Sequence, residues 1–138
     1  MMNGYLKLVI ICCSSIVVTL VTGCVGDAIR STKPLPGGYE LELFEGNQYL
    51  LVSRDSVVET GGVLGGAVAR IGWNERVIVA ERGSAFLGGG GSAVFVIDLE
   101  KGVTTGPLTN HEFENTQLTD AKVRSIQLYP VAEAWKRL

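Results

Sequence analysis

A chain of 138 residues with 46% hydrophobic and 19% charged side chains is long enough for one globular domain and lies outside the compositions of disordered or collagen-like chains. Lys7 is the one charged side chain before Cys24, so eleven of the twelve Lys and Arg lie beyond it, against fourteen Asp and Glu, and no basic run exceeds Lys136-Arg137. With aromatics at 7%, the chain has neither the cationic stripe nor the stacking platform of a nucleic-acid binder.

The amino end carries Lys7 and the α-amino charge, then an apolar stretch "LVIICCSSIVVTL" at residues 8–20, then Val21, Thr22 and Gly23 before Cys24. This is the three-part layout of a secretory signal. Residues 8–22 fall short of the roughly 20 apolar residues that span about 30 Å of hydrocarbon. Ser14 and Ser15 also interrupt them, so an uncleaved spanning helix is the weaker reading, as is a cysteine that merely follows an ordinary secretory cut. Val21-Thr22-Gly23-Cys24 resembles the lipobox of bacterial lipoproteins. The resemblance implies cleavage after Gly23, lipid attachment through the Cys24 thiol, acyl chains such as palmitate, and residence at a cell membrane or outer membrane facing the periplasm or exterior. Each buried methylene of such chains contributes ~0.8 kcal/mol, and two or three chains give stable attachment where one does not. Cys12 and Cys13 fall in the segment that would be discarded, so Cys24 remains alone and no intramolecular disulfide or cysteine metal site is expected.

The predicted organisation is a signal peptide at 1–23, a flexible tether at 24–38 and a single β-rich domain at 39–138. The tether is read from Gly, Pro, Ser and Thr without apolar period, with Pro34 and Pro36 favouring extension. Period-two alternation then begins: Tyr39, Leu41 and Leu43 against Glu40 and Glu42, a turn at Glu45-Gly46-Asn47, and a return strand at residues 49–52 predict a hairpin. Further strands are predicted around Val57, at 67–71, 77–79, 85–87 and 93–97, with turns at Gly72-Trp73-Asn74-Glu75 and Glu100-Lys101-Gly102 and a short strand before Gly106-Pro107. The spacing has the cadence of a propeller blade, but the length cannot supply four blades of about 40 residues. Thr109 with Glu112 has the capping-box spacing and Leu108 with Phe113 that of a hydrophobic staple, so a short helix should begin at Asn110. "VRSIQLY" reads as a final strand or extended segment. Pro130 then opens a helix with Val131, Ala134, Trp135 and Leu138 on one stripe. The expected fold is mainly β, of the α+β class: a single antiparallel meander sheet with one short helix and a C-terminal amphipathic helix packed on it.

The residues for enzymatic chemistry are sparse. Nucleophilic catalysis needs a base beside the nucleophile, and His111 is the only histidine, placed in a helical first turn. Asp27, Asp55, Asp98 and Asp120 are scattered, with no calcium-loop spacing and no ligand set for zinc. The glycine runs Gly61-Gly62-Val63-Leu64-Gly65-Gly66 and Gly88-Gly89-Gly90-Gly91 lack the Gly-Lys-Ser/Thr ending of a phosphate loop. They read as reversals between strands, or as a pair of mobile loops forming a binding lip. Glu40 and Glu42 lie about 7 Å apart on one strand face, which keeps that face soluble. Trp73 is the first residue to contact a partner should its ring be exposed.

The motifs "IGWNERVIVAER", "FVIDLEKG" and "TGPLTNHEF" resemble a family of short exported bacterial proteins of unknown function, over roughly the second half of the domain. That family implies no activity and no catalytic residues. The leading expectation is a lipid-anchored envelope protein that acts as a binding or structural module, not an enzyme. It would need no cofactor and contact no nucleic acid, its partners being the membrane, through its lipid, and an envelope protein. One alternative is a small envelope hydrolase or carbohydrate-active enzyme using acids among Glu45, Asp55, Glu59 and Asp98. Another is an inhibitor or immunity-like protein binding one partner through Trp73 and the glycine loops.

Overall fold

The computed structural model of the chain describes residues 30–55, 62–83 and 92–138. The lipobox with Gly23 and Cys24, the strands expected around Val57 and at 85–87, Glu59, Gly61 and the run from Gly88 to Gly91 lie outside the described residues.

The fold is mostly β with antiparallel sheets and few helices. Strands β1 (Ser31–Pro34), β2 (Tyr39–Phe44) and β3 (Gln48–Ser53) form one sheet in that order. The second sheet has the order β7-β6-β5-β4-β8, from β4 (Val68–Trp73), β5 (Val77–Arg82), β6 (Ala93–Asp98), β7 (Val103–Leu108) and β8 (Tyr129–Pro130). Helices α1 (Asn110–Thr119) and α2 (Ala121–Arg124) follow β7, and α3 (Val131–Arg137) follows β8.

The predicted hairpin is β2–β3, with Leu41 opposite Leu51 and Leu43 opposite Tyr49 on the inner face. Its turn carries two consecutive positive φ angles, 73° at Gly46 and 61° at Asn47, a conformation that Gly and Asn adopt at least cost. The tether expected at 24–38 is corrected for residues 31–38, which belong to the fold. Ser31–Pro34 pairs along the free edge of β2, and Leu35 is buried, its N–H donating to the Tyr39 carbonyl at 2.8 Å. An extended, proline-containing segment is suited to an outermost strand, where an absent N–H breaks no ladder.

A single sheet was expected, and two are found among the described residues. The reason lies in β4: one edge pairs with β5, and the other is taken by β8, with Arg70 opposite Pro130 and Ile71 opposite Tyr129. No edge of β4 is left for β3, so the first sheet stacks on the second. The near-continuous apolar runs of β5 and β6 require this layering, since both of their faces are buried. On one face Ile78, Ala80, Phe95 and Ile97 pack with Leu41, Leu51 and α3. On the other, Val77, Val79, Val94 and Val96 pack with Phe113 of α1, Val123 of α2 and Ile126.

The stripe predicted for the last helix is the one that packs: Val131, Ala134, Trp135 and Leu138 all join the first cluster. Trp135 ties the two sheets through α3. Its ring lies 5.4 Å from that of Tyr49, and its carbonyl accepts from Lys33 Nζ at 2.7 Å.

Helix α1 begins where its capping box places it. Glu112 N–H donates to Thr109 Oγ1 at 3.3 Å, and Thr109 N–H donates to Glu112 Oε2 at 2.7 Å. The Thr109 N–H, and then the Thr109 hydroxyl donating to the same Oε2 at 2.8 Å, hold the Glu112 carboxyl below its ordinary range. Asp120 closes α1 and caps α2, accepting from Lys122 N–H at 2.8 Å. The segment "VRSIQLY" divides, with Val123 and Arg124 in α2 and only its last residue in β8. Thr109→Ala is expected to cost about 1 kcal/mol in urea denaturation, the usual value of a lost N-cap. A loss below a few tenths would show that packing alone sets the start of α1.

Candidate functional site

Two polar constellations stand on the α1–α2 side of the five-stranded sheet. The first closes the turn ends. Asn74 Oδ1 accepts from the N–H groups of Arg76 and Val77 at 2.8 and 2.9 Å, and Asp98 Oδ1 accepts from those of Glu100 and Lys101, both at 3.0 Å. These side chains take up turn donors that the ladder leaves unpaired. Lys122 of α2, its side chain only 16% exposed, reaches Asp98 Oδ2 at 2.9 Å and Glu100 Oε2 at 2.6 Å, while Arg76 Nε donates to Glu100 Oε1 at 2.8 Å. The four charges are mutually satisfied, and Asn74 Nδ2 adds a bond to the Lys122 carbonyl at 3.3 Å. The cluster is therefore a clamp between turns and helix.

Its titration follows from the pairing. Arg76 and then Lys122 pull the Glu100 carboxyl down from an ordinary 4.5 to about 2. Lys122, with backbone N–H groups behind it, lowers Asp98, and the two carboxylates raise Lys122. A carboxyl depressed in the folded state contributes stability that is complete above pH 4.5 and is lost as the pH falls towards about 2. Across that window the urea midpoint of Glu100→Gln should fall less steeply than that of the parent; equal slopes would remove Glu100 from the acid response.

The residues singled out from sequence are placed as follows. Trp73 ends β4 half-buried and packs on the first apolar cluster, so its ring is largely occupied within the fold. His111 is exposed in the first turn of α1, its Nδ1 3.3 Å from Asn115 Nδ2. Of the acids considered for hydrolysis, Asp98 is engaged by the clamp and Asp55 is exposed beside Gly38; Glu59 and the Glu45 side chain lie outside the described set. Glu40 and Glu42 each hold an arginine, Arg54 at 2.6 Å and Arg30 at 3.4 Å. No group of three His, Cys, Asp or Glu side chains that could hold a metal comes together among the described residues.

The second constellation was not legible as a site from sequence. A groove of about 360 Å³ runs between α1 and β4, floored by Phe113, Ile126 and Leu128. Its rim is Arg70 from β4 and Asn110, Glu114 and Gln117 from α1. The α1 residues stand at i, i+3, i+4 and i+7, so one helical face lines the groove. A helix lying on a sheet ordinarily presents an apolar stripe; here Phe113 is the one apolar member and the one buried residue of the helix. That polar stripe is the signal a sequence reading could have used. The β4–β5 ladder is bulged between Val68 and Arg70, leaving Ala69 and Arg70 both exposed, and such bulges re-aim side chains. Arg70 Nε donates to Glu81, whose side chain is only 15% exposed and whose Oε1 accepts from Ser92 Oγ at 2.9 Å. The Ser92–Glu81 pair holds the guanidinium at its Nε, while the Arg70 side chain stays half exposed. Asn110, Glu114 and Gln117 have no side-chain hydrogen bond or ion pair within the protein among the described residues. The groove thus offers unused donors and acceptors over an apolar floor. Comparison with protein-family models, with curated proteins and with solved structures gave no match.

Proposed function

We propose that the protein is a lipid-anchored component of a bacterial envelope that serves as a binding module through the groove between α1 and β4. The observation that carries the binding part is the polar stripe Asn110, Glu114 and Gln117, set over an apolar floor with no partners of its own among the described residues. Asn110 and Glu114 are exposed and Gln117 is half-buried, so water meets these groups in the free protein and a ligand can take its place.

The anchoring part rests on Val21-Thr22-Gly23-Cys24 at the end of the apolar stretch. Because β1 begins at Ser31, six residues separate it from Cys24, a reach of about 20–25 Å at full extension. A diacylated Cys24 would hold the three-stranded sheet close to the headgroups, on a cell membrane or outer membrane, facing the periplasm or exterior. The activity proposed is binding, without catalysis or cofactor.

Mass spectrometry of the protein purified from membranes tests the anchor: a chain beginning at an acylated Cys24 is expected. An intact residue 1, or a bare thiol at Cys24, would overturn it. In parallel, Cys24→Ala should move the protein from the detergent phase to the aqueous phase.

A further inference from the structure

We propose that two copies of the chain pair through the outer edge of β7, so that their five-stranded sheets run on as one. β7 ends that sheet, and it differs from the other strand edges among the described residues. β1 carries Lys33 and Pro34, β8 is two residues long and ends in Pro130, and β3 is engaged where the Val63 N–H donates to the Leu51 carbonyl at 2.7 Å. Charges and prolines are what ordinarily keep an edge from pairing with another chain. Residues 103–105, the half of β7 before Gly106 and Pro107, have neither. They are exposed, and they pair in regular register with residues 96–98 of β6. Val103 is 52% exposed, so an apolar β-branched side chain stands half out of the fold at this edge.

A second copy suits this edge because the segment is complementary to itself. In a continuous antiparallel sheet the two-fold axis stands perpendicular to the sheet and side chains alternate between its faces, so one residue must lie opposite its own equivalent. Thr104 is the middle of the exposed run. Centring on it sets Val103 of each copy against Thr105 of the other, a β-branched pair that covers Val103 twice, and no like charges meet along the ladder. The same register sets Lys101 of one copy opposite Pro107 of the other, next to the start of α1, where Glu112 is exposed. Neither Lys101 nor Glu112 has an ion pair among the described residues, and Thr109 occupies only Oε2 of Glu112. Opposite charges thus meet at both ends of the interface. Because the joined sheet keeps its faces, the three-stranded sheets of both copies lie on one side of it, and two chains anchored through Cys24 can share a bilayer. That confinement raises their effective concentration, so a short edge suffices.

The test is disulfide cross-linking of full-length chains in native membranes, with Val103→Cys, Thr104→Cys and Thr105→Cys made singly and the parent chain setting the background from its own cysteines. Cα atoms directly opposite in an antiparallel pair stand about 4.5–5.5 Å apart, within disulfide reach, whereas diagonal neighbours stand about 7–8 Å apart, outside it. Thr104→Cys should therefore give about tenfold more cross-linked dimer than either neighbour alone, and co-expressed Val103→Cys and Thr105→Cys chains should restore the yield. Adding Thr104→Lys to both members of that mixed pair sets two ammonium groups face to face and should abolish the cross-link. Residue 104 is exposed, so the urea midpoint of that variant should match the parent's. Equal yields at all three positions, no dimer above background, a mixed pair that Thr104→Lys leaves intact, or a disulfide from position 104 to a different protein would each overturn the pairing. Acylation of Cys24, read by mass in the same membranes, tests the anchor separately, since the dependence on position along 103–105 holds with or without it.

Discussion

Phe113→Ala is expected to destabilise the domain by about 3–5 kcal/mol, the range for truncating a buried phenylalanine. Phe113 is the one buried residue of α1, and it packs among Val77, Val79, Val94 and Val96 on the far face of the sheet. The neighbouring Leu118 is 71% exposed, so no second apolar contact on the helix takes over when the ring is removed. The cap at Thr109 starts the helix but cannot hold it against the sheet. Urea denaturation measures the loss, and hydrogen exchange should show the amides of α1 opening before those of β5 and β6. A cost below about 1 kcal/mol, with α1 amides still protected, would mean that the junction with α2, where Arg124 donates to the Leu118 carbonyl at 2.7 Å, and not Phe113 seats the helix.

Gly72→Ala is expected to cost about 3 kcal/mol, at the upper end for overpacking a filled site. A Cβ at Gly72 would stand 2.2 Å from the Gln127 carbonyl oxygen and 2.8 Å from Ile126 Cγ2. The first of these is backbone, which no rotamer change relieves. The strand would have to move away from residues 126–128, and that segment leads directly into β8, paired with β4 at Ile71 and Tyr129. The same shift would widen the groove, since Ile126 and Leu128 form its floor. In thermal unfolding the midpoint should drop by more than 10 °C, at about 4–8 °C per kcal/mol for a domain of this size. A midpoint within 2–3 °C of the parent would show that the segment after α2 yields freely and that β8 is not a fixed edge of the sheet. Both substitutions act on the surroundings of Ile126, which clusters with Phe113 and lies against Gly72, so their effects should not be additive.

The clamp and the groove divide the polar chemistry of this face. Asp98, Glu100, Lys122 and Arg76 satisfy one another and hold α2 against the turns, whereas the α1 stripe has no internal partners among the described residues. The distinction decides which cluster is read as structure and which as a site. Charges that are already paired gain little from a ligand, while unpaired donors and acceptors over an apolar floor gain both hydrogen bonds and buried area.

What the sequence determined by itself is local. Alternation at residues 39–43 is a period of two and requires no knowledge of the partner strand, and Gly46-Asn47 suits two positive φ angles wherever the hairpin lies. The capping box closes within four residues, and the stripe Val131, Ala134, Trp135 and Leu138 states its apolar face before anything covers it. What only the tertiary structure decided is the competition for edges and faces. Ser31–Pro34 reads as linker because its few apolar groups promise no core, yet the open edge of β2 supplies hydrogen bonds that need no apolar side chain. The division into two sheets depends on Tyr129–Pro130 reaching β4 from far along the chain, a contact that no local pattern encodes. The groove is legible last because its walls come from β4, α1 and residues 126–128. Three polar residues on a short helix look like an ordinary solvated face until the fold turns that face toward Arg70.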